Sequence, residues 1–311
     1  MNIAVLGNPN SWYLADLQRA ANEYCNQRIK FQALPFSTIQ AGIRNDKIGE
    51  LSSAEQAFDE FDCLLIRTMP PGSLEQVIFR MNALHLFERS GGLVLNCARS
   101  IEIAVDKYLS LGLLAESKLP VPRTIVCQTA EDALFAYEQL GGDVVIKPIF
   151  GGEGRGITRL SDRALAVRAF RMLEQLEGVI YVQQFIEHGG SDIRVFVLGH
   201  EVFCMRRQNL DDWRTNISLG GQGQPYEASS EVIELARQAA AVVKAEIAGV
   251  DIVFTPDGTP VILEVNAVPG WKELTGVTGI DIALEVTRYL AERIHAHNQP
   301  LNSKEVKNPV S

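Results

Sequence analysis

Histidine and cysteine are scarce in this chain: five of each occur in 311 residues. The cysteines (Cys25, Cys63, Cys97, Cys127, Cys204) are odd in number, far apart and set mostly in apolar, strand-like runs. They read as reduced core thiols, so neither a disulfide framework nor a cysteine-bound metal is expected. Positive charge is also in deficit. With 38 acidic against 29 basic residues, the net charge of -9 argues against general nucleic-acid binding. No apolar run is long enough to cross a bilayer, and the start, Met1-Asn2-Ile3-Ala4-Val5-Leu6-Gly7, lacks the basic segment and cleavage site of an export signal. Neither nucleic acid nor membrane is expected as a partner, and the expected location is cytoplasmic. The turn after the first strand, Gly7-Asn8-Pro9-Asn10, lacks the Gly-x-Gly-x-x-Gly fingerprint, which sets a nicotinamide cofactor aside.

What is present is ordinary globular material, 46% hydrophobic and 22% charged, in a chain long enough for two or three domains. Over residues 1–100 short apolar strands (Ile3 to Leu6, Cys63 to Ile66, Leu93 to Leu95) alternate with helices. Ser11 can cap one helix, and Ser73 with Gln76 forms a capping box for another ending near Ser90. A small α/β domain with a mostly parallel sheet follows. Arg67 ends one of its strands and is either a reach toward an anionic substrate or a plain surface residue. The extended Leu119-Pro120-Val121-Pro122 suggests a linker to a second domain.

Beyond the linker, Val144-Val145-Ile146-Lys147 is an apolar strand ending in lysine, and it feeds into Gly151-Gly152-Glu153-Gly154-Arg155-Gly156. Glycines let backbone N–H groups approach an anion, and Lys147 and Arg155 supply charge, so a phosphate cradle is favoured over a plain turn. It is not a P-loop, because the lysine precedes the glycines. The run Val179 to Glu187 is a strand opening into a connection able to meet a base edge. Asp192 to Leu198 and Glu201 to Arg207 form a hairpin around Gly199-His200. Helices are expected over Ala164 to Leu176, from a Ser229 or Ser230 cap, and from Ile280 to Ala296, with a loop from Trp271 to Gly279.

The stretch Ala248 to Gly270 is a second hairpin, closed by Pro256-Asp257-Gly258-Thr259-Pro260. If Phe254 pairs with Val261, Asp251 stands opposite Glu264 and Gly249 opposite Asn266; a bulge would shift this register. Two facing carboxylates repel and need a compensating charge. Mg²⁺ fits hard oxygen donors, with Asn266 as third ligand, whereas Zn²⁺ would want His or Cys. Taken alone, the same carboxylates are equally well explained as solvated strand ends.

Taken together, Lys107, Val-Val-Ile-Lys147-Pro, the glycine loop, Gln-Gln-Phe-Ile, Asp192-Ile-Arg194, Trp-Arg214-Thr-Asn216, Gly-Val-Asp251 and Leu-Glu264-Val-Asn266-Ala-Val-Pro-Gly resemble the RimK-type ATP-grasp ligases over about residues 95–295. The resemblance implies an α/β (α+β) ATP-grasp fold behind an N-terminal Rossmann-like domain. The domains would be 1–100, then grasp subdomains 101–187 and 188–296, then a flexible tail 297–311. It implies that Lys107 and Lys147 contact ATP phosphates under a loop containing Gly151, Gly152, Gly154 and Gly156. Gln184, Phe185 and Ile186 would meet adenine, and Asp192 the ribose. Arg214 would stabilise the transferring phosphoryl group, and Asp251, Glu264 and Asn266 would hold Mg²⁺, with Mn²⁺ as substitute. The chain departs from the family in having Gln184 where an acidic residue is common, and Glu187 with a short link to Asp192 where a lysine usually follows Ile186.

The implied activity is ADP-forming amide ligation through an acyl phosphate, with a carboxylate and an amino acid, first of all glutamate, as substrates. The acceptor is either a small cofactor precursor or a protein, and a homo-oligomer is open. The alternative is a regulatory ATP-binding module without turnover.

Overall fold

Among the described residues the strands form four sheets. The computed structural model describes residues 1–24, 28–44, 47–151 and 156–299, and the chain divides into two compact units: Met1–Val94 with the helix from Ala283, and Leu95–Ile282. In the first unit Asn2–Leu6 lies between Lys30–Leu34 and Cys63–Ile66, parallel to both, with Val94–Leu95 at the edge. Strands buried on both faces read as unbroken apolar runs, and Cys63–Ile66 is buried at all four positions. The capping box forms as expected: Ser73 accepts from Gln76 N and the Gln76 side chain from Ser73 N, opening Leu74–Arg89.

A three-stranded antiparallel sheet, Ile39–Arg44, Lys47–Ser53 and Gln56–Ala57, was not anticipated. Its second turn is made by Ala54 and Glu55, both at positive φ, 49° and 66°. Tight hairpin turns of this kind ordinarily announce themselves with Asn-Gly or Asp-Gly, and here neither is present.

In the second unit Thr158–Leu160, Val144–Lys147, Ile180–Gln184 and Thr124–Cys127 form an antiparallel sheet in that order. Alternation sends Val144, Ile146, Ile180 and Val182 to one face, where they form a core with Ala133, Ala136, Tyr137, Ala166 and Phe170 of helices Ala130–Gln139 and Arg163–Gln175. The opposite face therefore carries Val145, Lys147, Tyr181 and Gln183. Burial raises the thiol pKa of Cys127, and that of Cys204 to about 11, in keeping with unreactive thiols, although both are half-buried where core positions were expected.

The other sheet of this unit runs Gln222–Pro225, Glu201–Gln208, Ser191–Leu198, Ile247–Phe254, Pro260–Asn266, antiparallel throughout. Helix Ser230–Val242 is capped by Ser229, which accepts from Val232 N, and buries Val232, Leu235, Ala236 and Ala239. Asn96 anchors this sheet. Its Nδ2 donates to the carbonyls of Ile247 (2.7 Å) and Ala267 (2.6 Å), and its Oδ1 accepts from Glu246 N and Ile247 N.

The segment after Gly270, read as a loop, contains the helix Lys272–Thr278, entered through Trp271, which is buried against Phe196. The last helix runs Ile282–Asn298, past its expected end; the tail from residue 300 lies outside the described residues. No described helix is long and apolar enough to cross a membrane.

Candidate active site

The second hairpin reaches the expected pairing by a different route. Phe254 pairs with Pro260, not Val261, and Ile252 with Ile262; a bulge then adds one residue, restoring Asp251 opposite Glu264 and Gly249 opposite Asn266. The bulge matters for the site. In a regular strand successive side chains take opposite faces, whereas here both Leu263 and Glu264 line the cavity.

That cavity is bounded on one side by Val145, Lys147 and Gln183 of the first sheet and on another by Asp192, Arg207, Asp251 and Glu264 of the second. Gln184 contributes from the end of strand Ile180–Gln184, Phe185, Ile186 and His188 from the segment after it, and Trp213, Arg214, Thr215 and Asn216 from the loop beyond the hairpin Ser191–Gln208. Apolar Val145, Ile157 and Leu263 share it with these charges, a mixture suited to a ligand that is flat and apolar at one end and anionic at the other.

Lys147 Nζ donates to Gln183 Oε1 at 2.7 Å, and Gln183 in turn donates to Thr124 and Tyr181. Burial pulls the Lys147 pKa down to about 8 against the pull of Glu264 and Asp251, and the charge of Lys107 adds to the lowering. Lys107 opens the helix Lys107–Glu116, capped by Asp106, and its ammonium bonds the carbonyl of Gly151. Gly151 and Gly156 have φ of +119° and +73°, conformations that favour glycine. Gly152, Gly154 and Arg155, the rest of the expected phosphate cradle, lie outside the described residues.

The carboxylates are bound up with Arg194 and Arg207, to which sequence reading gave no role. Arg194 Nη1 meets Asp251 Oδ1 at 2.6 Å, and Arg207 Nη2 lies 2.9 Å from Asp251 Oδ2. Burial alone would raise the Asp251 pKa, but these guanidinium groups hold it below the usual carboxylate range. Arg207 also grips Asp192, with Nε to Oδ1 at 2.8 Å and Nη2 to Oδ2 at 2.6 Å, and Thr215 Oγ1 donates to Asp192 Oδ2 at 2.6 Å. Despite desolvation, two carboxylates keep Arg207 charged. Gly249 makes room for Arg194: a Cβ there would stand 2.7 Å from the guanidinium carbon.

Arg214 lines the cavity with its guanidinium on Asp212, Nη2 to Oδ2 at 2.5 Å, a hydrogen bond that raises its pKa. The loop carrying it is tied down by buried Asn209, which accepts from Asp211 N and Asp212 N and donates to the carbonyl of Arg214. Asn266 Oδ1 accepts from Val268 N at 2.8 Å and is not among the cavity-lining residues. Arg67, in the first unit, places its guanidinium 5.0 Å over the Tyr13 ring, and burial lowers its pKa to about 10.

Among the described residues no group of three or more His, Cys, Asp or Glu could hold a metal. Two carboxylates facing one another on adjacent strands nevertheless suit Mg²⁺, which takes few protein oxygens and fills its octahedron with phosphate and water.

The architecture is that of an ATP-grasp ligase: two antiparallel sheets, one offering lysine and the other paired carboxylates, on a common cavity. The chain belongs to the RimK-like ATP-grasp family, whose domain model matches residues 104–290. It is an ATP-dependent ligase. Over 268 residues it is 33% identical to the tetrahydromethanopterin:alpha-L-glutamate ligase of Methanosarcina acetivorans, covering 76% of this chain and 82% of that protein. A probable alpha-L-glutamate ligase of Legionella pneumophila is 28% identical over 297 residues, 94% of this chain and 96% of that one. Among solved structures, the ATP-grasp ligase PsnB bound to a precursor variant, Mg and ADP superposes with a TM-score of 0.70 at 20% identity, covering 96% of this chain and 98% of its own. ATP and Mg²⁺ are the requirement of such ligases.

Proposed function

We propose that the protein joins the amino group of glutamate to the carboxylate of a small molecule, releasing ADP and phosphate. The observation that carries this reading is the convergence of Lys147, Arg214, Asp251 and Glu264 on one cavity that apolar Phe185 and Ile186 also line. The named relatives that act on glutamate are the reason for choosing that amine. The net charge of -9 favours a small acceptor over a very basic protein.

A carboxylate is a poor acylating agent, and transfer of the γ-phosphoryl group to it creates a leaving group that an amine can displace. That transfer concentrates negative charge. Lys107 and Lys147 bear on the phosphates, and Arg214, released from Asp212, offsets charge on the transferring group and on the tetrahedral intermediate. Asp251 and Glu264, with Asn266 turning from Val268, would hold Mg²⁺, which neutralises phosphate charge when bound; Mn²⁺ would serve in its place. No Ser, Cys or His nucleophile is needed. An acyl phosphate hydrolyses, so the glycine loop is assigned the exclusion of water. On this reading residues 101–187 and 188–296 are the two halves that grip ATP, and the enzyme works in the cytoplasm.

The test is incubation with ATP, Mg²⁺, labelled glutamate and a panel of small carboxylates including pterin precursors. ADP should form only when acid and glutamate are both present, and the product should gain one glutamyl mass. Formation of AMP would exclude the acyl-phosphate route, and ADP formation with other amines but not with glutamate would exclude the substrate.

A further inference from the structure

Helix Arg163–Gln175 is apolar on two sides, and its own sheet covers only one of them. Ala166 and Phe170 point into the core. Leu165, Met172 and Leu176, the last at the helix C-cap, are 55%, 56% and 71% exposed. With half-buried Ala169 between them, their spacing is four, three and four residues. That alternation keeps a straight seam along a helix, and such a seam ordinarily meets a second helix. Single exposed apolar residues need no explanation, whereas a continuous stripe of them marks a contact surface.

The seam lies on the open flank of its sheet. Helices Ala130–Gln139 and Arg163–Gln175 run antiparallel, since Glu174 accepts from Ala130 N and Arg163 donates to Glu138. Arg163 and Glu174 share one side of their helix, and Leu165 stands about 200° round from Arg163 at 100° per residue. Ala130–Gln139 packs on the edge strand Thr124–Cys127, and Arg163–Gln175 on the opposite edge strand, Thr158–Leu160. The stripe therefore faces away from the neighbouring helix, on the side of Thr158–Leu160. Lys147 is on the other face of the sheet, so a partner seated on the stripe leaves the cavity open.

Charge selects the partner. The N-terminal half of the helix carries Arg168 and Arg171, which make no ion pair among the described residues, and its C-terminal end carries Glu174 and Glu177. A partner of one charge sign would be attracted by one half and repelled by the other. A second copy of the same helix, turned end for end, sets its acidic end on the basic half of the first, and two-fold symmetry repeats the match. Leu165 then meets Leu176 of the second copy, and Met172 meets Ala169. We propose that the protein self-associates through this antiparallel pairing of helix Arg163–Gln175 with its counterpart in a second copy of the chain. One helix pair of this length is a small interface, so the dimer is weak and depends on concentration.

Sedimentation equilibrium on the full chain should give a mass that rises from 34.3 kDa toward twice that value as concentration increases. Met172→Glu and Leu176→Glu, both at exposed positions, should keep the melting temperature of the wild type measured as monomer and weaken association about 30-fold or more. Phe135→Glu, which changes an equally exposed residue of the neighbouring helix, should leave association unchanged. An Arg168→Glu/Arg171→Glu chain and a Gln175→Lys/Glu177→Lys chain should each self-associate less than the wild type. An equimolar mixture of the two should recover association, because facing halves then carry opposite charge. A wild type that stays monomeric throughout overturns the pairing and leaves the stripe to a different protein. A dimer that survives Met172→Glu, one weakened as much by Phe135→Glu, or a mixture no stronger than its components overturns it as well.

Discussion

Arg207 stands directly across neighbouring strands from Asp192 and closes on it with two hydrogen bonds of 2.8 and 2.6 Å, both groups being buried. The same Nη2 reaches Asp251 at 2.9 Å, so one guanidinium joins a strand of the sheet interior to the hairpin whose carboxylates are proposed to hold Mg²⁺. Breaking a buried pair leaves an uncompensated charge, which costs about 3–5 kcal/mol. Arg207→Met should therefore lower unfolding free energy by an amount in that range, measured by urea denaturation. Arg207→Lys, which keeps the charge but not the fork, should lose less.

Lys147 leads to a pH prediction. Its pKa in the fold, about 8, lies below the ordinary 10.5, so the unfolded chain holds this proton more tightly. The burden on stability is fully present below pH 8 and is relieved as pH rises from about 8 to 10.5. Unfolding free energy of Lys147→Met minus that of wild type should accordingly fall across that interval; a difference that stays flat would mean the ammonium is not desolvated. ATP affinity should decline in the same direction, because the neutral amine attracts phosphate less.

Much of this site could be read from sequence where the interactions are local. Two-residue spacing put Asp251, Glu264, Gly249 and Asn266 on one face, and the observed pairing places them so, although the bulge at Leu263 was invisible because nothing in Val-Ile-Leu-Glu marks where an extra residue enters. The pairing of Asp192 with Arg207 was legible though not read in advance: pairing Leu198 with Glu201 across Gly199-His200 and counting back gives it, and the structure has that register. The pairing of Arg194 with Asp251 could not be reached in that way, because their strands are neighbours only through a distant return of the chain. Asn96 was equally hidden, its four bonds all going to main-chain groups 150 to 171 residues away.

Glu264 and Asp251 should behave differently when each is made neutral. Asp251 answers two arginines, so Asp251→Asn leaves Arg194 and Arg207 with less compensation and should cost stability as well as turnover. Glu264 acts on Lys147 through space, and Glu264→Gln should keep the melting temperature within a few degrees while lowering kcat by about 100-fold or more. Thermal melts beside steady-state ADP release separate the two. A Glu264→Gln enzyme with full activity over a Mg²⁺ titration would remove Glu264 from the metal site.

Asn96 is 2% exposed and ties the start of strand Ile247–Phe254 to the chain just beyond Asn266, the two ends of the hairpin proposed to hold Mg²⁺. Its amide uses both donor hydrogens and accepts twice on its oxygen, so every bonding position is filled. Asn96→Asp keeps the acceptor but turns the donor end into an oxygen facing two carbonyls. Asn96→Ala abandons four main-chain groups in a dry setting, at about 1–3 kcal/mol for each group left unsatisfied. Both should destabilise the second unit by more than about 3 kcal/mol. In Asn96→Ala, Mg²⁺-dependent ATP binding should weaken more than binding of ATP without metal, because the loosened hairpin holds Asp251 and Glu264 rather than the base. Calorimetry with and without Mg²⁺ measures that ratio, and an equal loss in both would show that the clamp supports the fold without ordering the metal ligands.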